Sequence, residues 1–285
     1  LWRNLKYYLP IQGVDEFYSE DDIYQAFPES KQHANTWGAT DEYTFKFAEM
    51  VLKNSTKPTM IMVQTQTNHP PYQIPTNYSP NHIEVSDRVM EKVSLSEEKS
   101  KKIYETYQYA TNALGEFVAD IKSSNLGAKT LIAASGDHRL RDYSISFPAD
   151  LGTAHSVPFY LYVPDAILEH TPYDYQKNRI GSHRDIFPTL YAYSLSDAEY
   201  VSLGGRNLLA KNDIKTPYAY NNGVTLTEQG ASYNANPTVL YPWKTKDGLS
   251  VETKGIPNPT PDIDEEYVTL QDLFINAELK GFTAN

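Results

Sequence analysis

The 285-residue chain contains no cysteine, and this absence removes several kinds of chemistry at once. Disulfide bonds, thiolate metal sites and a cysteine nucleophile are all excluded. Positive charge is also scarce, because 25 lysines and arginines stand against 36 aspartates and glutamates and leave a net charge of −11. A chain with this balance is a poor partner for a nucleic-acid backbone. We therefore expect no nucleic acid among its partners.

Long apolar runs and several active-site signatures are missing as well. No apolar run approaches the ~20 residues of a membrane-spanning helix. The opening residues, Leu1-Trp2-Arg3-Asn4, lack both a methionine and the pattern of a signal peptide. The chain has no Gly-rich phosphate loop and no G-x-S-x-G nucleophile elbow. We expect a processed or excised piece of a longer protein, without nucleotide-loop or serine-hydrolase chemistry.

The patterns that are present alternate between helix and strand. Apolar residues recur at three- and four-residue spacing over residues 96–124, which predicts a long helix. Short apolar runs at residues 58–65, 130–135 and 157–164 predict buried strands, and a further helix is predicted over residues 182–195. This order favours an α/β fold with a mostly parallel sheet flanked by helices.

The amino-acid composition of the sequence changes after about residue 212. Asn, Gly, Pro and Thr become frequent there, and the periodicity fades until a last predicted helix near residues 268–279. We predict an α/β domain over residues 1–212 and a C-terminal subdomain or wrapping tail over residues 213–285.

The strongest chemical signal is the segment that follows the predicted strand 130–135. The strand ends at Gly136, and the next two residues are Asp137 and His138. Open α/β sheets bind ligands at the carboxyl ends of such strands. Oxygen from Asp and nitrogen from His suit a divalent cation such as zinc or manganese. The alternative is structural, with Asp137 as a helix N-cap beside a buried His138.

Two further histidines stand in similar places. His69 follows the predicted strand 58–65, where it could bind an anionic substrate or assist proton transfer, or be an ordinary surface histidine. His183 lies in the first turn of a helix, where the backbone dipole attracts anions, or it is a capping-turn residue with no ligand. Ser182 is predicted as that helix's N-cap and Asp185 as its matching N3 acid. We expect Arg184 to be solvated.

Three single-histidine motifs in this order carry a family resemblance. The segments 67–72, 135–138 and 182–190, joined by 37–42 and 205–209, resemble the sulfatase-like branch of the alkaline phosphatase superfamily. Within it they look most like lipoteichoic acid synthases and other phosphoglycerol or phosphoethanolamine transferases. The resemblance covers residues 1–212 and implies the same α/β fold.

The resemblance also implies roles for the four candidate residues. Asp137 and His138 match metal ligands of the family, which implies one divalent ion, Mn or Zn, with Mg or Ca as alternatives. His69 matches a histidine beside the substrate phosphate, and His183 an active-site residue of phosphoethanolamine-transferase-like members. Both are therefore expected to be catalytic and to bind substrate.

The sequence departs from the pattern of this family in two respects. Trp2 and Arg3 resemble a Trp-x-Arg substrate-contact segment, although here Arg directly follows Trp. Nothing in the chain matches the family's Thr or modified Cys/Ser nucleophile, its other metal carboxylate, or the Cys/Ser-x-Pro-x-Arg segment of sulfatases. The chain is thus expected to be a C-terminal portion, lacking the N-terminal part of a sulfatase-like domain. Half a metal site should bind metal weakly and catalyse poorly.

The function implied is metal-assisted transfer of a phosphoglycerol or phosphoethanolamine headgroup to a cell-envelope lipid or glycan. The expected partners are a phospholipid headgroup or glycan and the N-terminal portion of the same protein. The expected location is extracytoplasmic, as the soluble domain of a membrane-anchored protein. Two alternatives stay open: a sulfate-ester hydrolase that uses a metal in the same way, and a non-catalytic envelope-binding module.

Overall fold

The computed structural model describes most of the chain in two compact units, Leu1–Gly127 and Ala128–Asn285. The residues described are 4–142, 144–200, 205–211, 218–221, 223–246 and 248–280, without the side chains of residues 264 and 278. The domain boundary predicted at residue 212 stays a prediction.

The first unit is built from helices. They are α1 (Leu5–Ile11), α2 (Glu20–Ala26), α3 (Asp41–Asn54), α4 (Asp87–Met90) and α5 (Glu97–Ser123), with a 3₁₀ turn at Pro28–Gln32. Helix α5 confirms the prediction for residues 96–124. The Ser96 hydroxyl accepts a hydrogen bond from the Lys99 amide at 3.3 Å, which satisfies a backbone donor that the helix itself leaves unpaired.

Helices α3 and α5 pack against each other and fix the N-terminus of α3. The rings of Phe45 and Phe117 stack with their centres 5.0 Å apart. The Glu42 amide, in the first turn of α3, donates to the hydroxyl of buried Tyr109 at 3.1 Å. Burial raises the pKa of Tyr109 to about 12, so this hydroxyl stays protonated at neutral pH. The start of α3 is therefore rigidly placed.

The prediction of a strand at residues 58–65 was wrong. This segment has no ladder partner among the described residues, and its alternate side chains Met60 and Met62 are 62% and 75% exposed. An apolar run forms a strand only where a neighbouring strand supplies the backbone hydrogen bonds.

The second unit begins with a pair of strands, β1 (Ile132–Ser135) and β2 (Phe159–Tyr162). Both were predicted, but they pair antiparallel, and so do all other described strands. The predicted mostly parallel sheet is therefore corrected to antiparallel in this part of the chain. A short apolar run indicates burial without direction, and the connection between β1 and β2 is long enough for either. The mixture of helices and sheets agrees with the predicted α/β class.

A second antiparallel sheet occupies the C-terminal part of this unit. Its strands follow one another in chain order: β3 (Tyr218–Tyr220), β4 (Val224–Thr227), β5 (Gly230–Tyr233), β6 (Asn236–Pro242) and β7 (Ile256–Pro257). Gly230 starts β5 where a Cβ atom would lie 2.1 Å from the Tyr241 carbonyl oxygen, so only glycine fits. The sheet packs its apolar face on Leu151 and Val251.

Short and long helices complete the second unit. They are α6 (Leu151–Ala154), α7 (Asp165–Leu168), α8 (Ile186–Ser194) and α9 (Ile263–Leu279), with 3₁₀ turns at Gly127–Lys129 and His183–Asp185. Helix α9 begins before the predicted start at Val268. Across the described residues, no helix combines the length and apolar character that crossing a bilayer requires.

Candidate active site

The Asp137-His138 segment forms an open turn directly after β1. The Gly136 amide still donates to the Pro158 carbonyl at 3.3 Å, so the turn starts where the β1–β2 pairing ends. The side chains of Asp137 and His138 are 88% and 51% exposed. No helix begins in the described residues 137–142. The alternative of an N-cap aspartate beside a buried histidine is therefore wrong.

The two side chains of this turn face each other with donor atoms suited to a cation. His138 Nε2 lies 3.4 Å from Asp137 Oδ2. His138 Nδ1 lies 2.7 Å from the Arg139 carbonyl oxygen, and donation of its proton there leaves the lone pair on Nε2. Two lone-pair atoms that face each other favour a cation between them. Ligands about 2.1 Å from a tetrahedral ion are about 3.4 Å apart, so the pair fits one edge of such a site.

The Asp137–His138 pair differs from a second surface pair, His82 and Glu84, in its hydrogen bonds to the backbone. His82 Nε2 also lies 3.4 Å from a carboxylate oxygen, that of Glu84. Asp137 and His138 are in addition fixed to the backbone, because Asp137 Oδ1 accepts from the His138 amide at 2.8 Å and Nδ1 meets the Arg139 carbonyl. In the described residues, no group of three His, Asp or Glu side chains is arranged to hold a metal ion. The pair thus supplies two donors.

His183 lies beside the Asp137 turn in the same unit. Its Nε2 is 2.7 Å from the Gly136 carbonyl oxygen and 3.3 Å from the Ser135 hydroxyl. An Nε2–H that donates to the carbonyl holds the imidazole at the end of β1. The structure thus brings together three of the residues singled out in the sequence, His183, Asp137 and His138.

The turn that carries His183 is the predicted capping box. The Ser182 amide donates to Asp185 Oδ2 at 2.7 Å. Asp185 is only 1% exposed. Its Oδ1 accepts from the Arg206 amide at 2.8 Å, and the Arg206 guanidinium lies 3.4 Å away. A buried carboxylate with a cationic partner therefore fixes the backbone on both sides of His183.

Arg184 is partly buried against two tyrosine rings, contrary to the expectation that it is solvated. Its guanidinium carbon lies 3.6 Å from the ring centre of Tyr267 and 4.9 Å from that of Tyr220. Neither tyrosine is near Arg184 in the sequence, so no local pattern could have indicated this stack.

His69 lies in the first unit on a loop that contacts Trp37, which precedes α3. His69 Nδ1 is 3.0 Å from the Pro70 carbonyl oxygen, and the Trp37 indole N–H donates to the same oxygen at 2.7 Å. The Trp37 and His69 rings meet edge to face with centres 4.6 Å apart. A proton on Nδ1 leaves Nε2 as the atom that can meet a ligand.

A buried aspartate in the first turn of α3 holds the start of this loop. Asp41 Oδ1 accepts from the amides of Gln66 and Thr67 at 2.9 and 3.1 Å. The Thr106 hydroxyl donates to Asn68 Oδ1 at 3.0 Å. Burial raises the pKa of Asp41. Its Oδ2 is buried without a hydrogen-bond partner in the described part of the chain.

The remaining predicted site residues, Trp2 and Arg3, lie outside the described residues. His69 belongs to the first unit, whereas Asp137, His138 and His183 belong to the second.

The chain matches a protein family and resembles curated relatives, among them the following two. A family model described as Sulfatase matches residues 1–194. The chain is 24% identical over 288 residues to a lipoteichoic acid synthase-like protein, YvgJ, of Bacillus subtilis, covering 95% of this chain and 42% of that protein. It is 23% identical over 290 residues to a lipoteichoic acid synthase of Staphylococcus saprophyticus, covering 96% of this chain and 40% of the other. The chain therefore spans about two fifths of the length of these relatives.

A similar fold is found in a solved structure. It is a protein in the alkaline phosphatase superfamily from Vibrio parahaemolyticus, with a TM-score of 0.54 and 20% sequence identity. The alignment covers 88% of this chain and 57% of the other.

Proposed function

The chain belongs to the Sulfatase family, and from that premise we propose that it is the C-terminal part of a metal-dependent phosphoglycerol- or phosphoethanolamine-type transferase. The matches confirm the resemblance to the sulfatase-like branch and its lipoteichoic acid synthases. That branch is one of hydrolases and transferases. The names of the two curated relatives favour transfer. The observation that carries the proposal is the anchored Asp137–His138 pair, with His183 bound to the carbonyl beside it.

The metal would be held by Asp137 Oδ2 and His138 Nε2. Members of these families generally use divalent metals, and we propose Mn or Zn, with Mg or Ca as alternatives. The fit rests on the facing donor atoms, 3.4 Å apart, and on the hydrogen bond that fixes the His138 tautomer. A bound divalent ion would supply Lewis-acid polarisation of a phosphoryl oxygen. We propose that the remaining ligands and the hydroxyl nucleophile come from outside these 285 residues.

The two histidines would handle the phosphoryl group and the leaving alkoxide. His183 has its Nε2 at the Gly136 carbonyl, 2.7 Å away, so a phosphoryl oxygen arriving there would compete for the same proton. His69, with Nδ1–H donating to the Pro70 carbonyl, would act in its doubly protonated form, donating the Nε2 proton to a phosphoryl oxygen or to the leaving alkoxide. Trp2 and Arg3 are proposed as substrate contacts on the resemblance alone.

We propose a phospholipid headgroup as the donor and a cell-envelope lipid or glycan as the acceptor. Such a reaction takes place where envelope polymers are assembled, so the domain would work on the extracytoplasmic side of the membrane. The soluble part described here would belong to a membrane-anchored parent.

A sulfate ester is the second candidate substrate. The description of the matched family favours it. Sulfate and phosphate esters present similar tetrahedral oxygens to the same donors, so Asp137, His138 and His183 would serve either.

The test uses the intact protein that carries these residues, with Mn²⁺ added. Metal content is measured together with release of glycerol phosphate from phosphatidylglycerol vesicles and with hydrolysis of an aryl sulfate. Asp137→Ala and His138→Ala should each lower phosphodiester turnover by at least about 100-fold, because each removes a ligand. His82→Ala is the matched control, since it removes an exposed histidine at the same 3.4 Å from a carboxylate.

Each outcome separates the candidates. Metal-dependent release of glycerol phosphate, lost in both variants and kept in the control, supports the transferase. Preferred cleavage of the aryl sulfate selects the second candidate. An intact protein with neither metal nor turnover contradicts both and leaves the non-catalytic envelope-binding module.

A further inference from the structure

The turn that carries His183 is held by residues from beyond the family match. Residues 182–185 lie inside the matched range 1–194. Their partners Arg206, Tyr220 and Tyr267 all lie after it, and so does Tyr218, which contacts Arg206. The C-terminal sheet and helix α9 therefore contact a proposed active-site turn, although the match to the family model ends at residue 194.

Arg184 makes the first of these connections. Its guanidinium carbon is 3.6 Å from the centre of the Tyr267 ring on α9, and Nη2 lies 3.4 Å from the Tyr220 carbonyl oxygen on β3. The two tyrosine rings are themselves 5.0 Å apart. Attraction between a cation and a ring face strengthens when the cation is desolvated, and Nη1 of Arg184 is buried.

Asp185 makes the second connection. Its carboxylate is shared between Ser182, at the start of the turn, and Arg206. The Arg206 guanidinium in turn donates to the Tyr218 carbonyl of β3. Arg184 thus contacts β3 through its own guanidinium, and Asp185 is connected to β3 through the guanidinium of Arg206.

His183 itself faces a different element. Its Nε2 reaches Gly136 at the end of β1, whereas its neighbour Arg184 contacts β3 and α9. Arg184 and His183 lie on the same short 3₁₀ turn. If Arg184 lost its contacts with Tyr267 and Tyr220, the turn that carries the His183 imidazole would be held less firmly. The imidazole could then no longer be held in one position at the Gly136 carbonyl.

We propose that Arg184 and Tyr267 are positioning residues for His183, and that the segment from β3 to α9 acts as a brace for the active-site turn. This inference rests on the proposed function for its catalytic consequence. The brace itself is a structural coupling between α9 and His183, so it can be measured without turnover.

The first test compares Tyr267→Leu with Tyr267→Phe in the full chain. Phenylalanine keeps a ring against the guanidinium, and leucine does not. Wild-type protein should show His183 mainly as the Nε2–H tautomer in ¹⁵N-resolved spectra. Tyr267→Leu should speed amide exchange at residues 183–185 roughly tenfold and average the two His183 tautomers, while Tyr267→Phe stays near wild type.

Two controls keep this test decisive. Tyr175→Leu makes the same substitution at a tyrosine of the second unit that is 73% exposed, and it should leave the His183 signals unchanged. Arg184→Lys replaces the flat guanidinium while keeping the charge and the sheet intact, and it should disturb His183 even if Tyr267→Leu fails to fold. Unchanged His183 signals in a folded Tyr267→Leu or Arg184→Lys chain would overturn the brace.

The second test measures kcat and KM in the intact protein. Tyr267→Leu should lower kcat by roughly tenfold with little change in KM, and Tyr267→Phe should restore it, because only the placement of a proton donor has changed. If His183 loosens in the spectra while Tyr267→Leu and His183→Ala both keep full kcat, the brace is supported. The proposed role of His183 then fails.

Discussion

His69 and His183 lie on segments that are each fixed by a buried aspartate, one in each unit. Asp41 holds the loop of His69 through one oxygen, which accepts from the amides of Gln66 and Thr67. Asp185 holds the turn of His183 through both oxygens. Both aspartates perform the same geometrical task, which is to gather backbone amides around a carboxyl group.

The two aspartates differ in the partner that compensates their burial. Asp185 has the Arg206 guanidinium 3.4 Å away. Asp41 has only hydrogen bonds to one oxygen, and its second oxygen is buried without a partner in the described residues. Burial raises the pKa of Asp41, which favours the neutral acid. Replacing Asp41 by a neutral isostere removes a charge that burial disfavours, whereas replacing Asp185 leaves the Arg206 charge without its partner.

The largest expected effect is therefore in the second unit, from Asp185→Asn. The substitution leaves the Arg206 charge without its partner, and breaking a buried pair in this way costs about 3 kcal/mol or more. Denaturant unfolding of the full chain, monitored in the second unit, measures the loss. Asp41→Asn is the matched variant and should cost less than about 1 kcal/mol at neutral pH. Similar losses in the two variants would contradict the distinction.

The next largest effect is expected from Asp41→Ala. Comparing it with Asp41→Asn distinguishes the role of the accepting oxygen from that of the negative charge. Asp41→Ala removes the acceptor of two amides, and an unsatisfied buried amide costs about 1–3 kcal/mol, so we expect a loss of about 2 kcal/mol. Asp41→Asn keeps an oxygen at the same place. Amide hydrogen exchange at Gln66 and Thr67 should accelerate in the alanine variant alone. Acceleration in both would mean that the charge, and not the acceptor geometry, holds the loop.

A smaller effect is the pH dependence that Asp41 gives to the first unit. Its folded pKa is raised above the ordinary value of 3.8, so the folded state keeps the proton to higher pH than the unfolded chain. The contribution to stability is full below the unfolded pKa and is lost as pH rises through the folded pKa. The stability of Asp41→Asn relative to wild type should therefore increase as pH rises above about 4. Unfolding curves of both proteins at several pH values measure this difference. A difference that stays constant with pH would contradict the raised pKa.

The smallest effect concerns the His69 loop itself. Trp37→Phe keeps a ring near His69 but removes the indole N–H that donates to Pro70 at 2.7 Å. One such hydrogen bond contributes about 1 kcal/mol. Thermal unfolding should show a small loss, and the His69 ring signals should shift. If the ring signals stay unchanged, Trp37 does not place His69.

Local signals predicted the elements that local chemistry determines. The spacing of apolar residues predicted α5, and Ser182 with Asp185 predicted the capping box before α8. The Asp137-His138 turn was predicted at a strand end, and it lies there.

Features that depend on distant partners were not predictable in the same way. The directions of β1 and β2 depend on their pairing, and the segment 58–65 needs a neighbouring strand that no local pattern supplies. Strands β3 to β7 are short and interrupted by turn residues, so their periodicity is weak. Arg184 was expected to be solvated, and the tyrosines that it contacts, Tyr220 and Tyr267, are remote in the sequence. The hold of Asp41 on the His69 loop likewise spans 25 residues.

Line broadening by Mn²⁺ tests most directly whether Asp137 and His138 form one edge of a metal site. In spectra of the full chain, substoichiometric Mn²⁺ should broaden the His138 ring signals first and leave His82, the equally spaced surface pair, unaffected at the same concentration. Asp137→Asn should abolish the broadening at His138. Equal broadening of His82 and His138, or none at either, would contradict the metal-binding role.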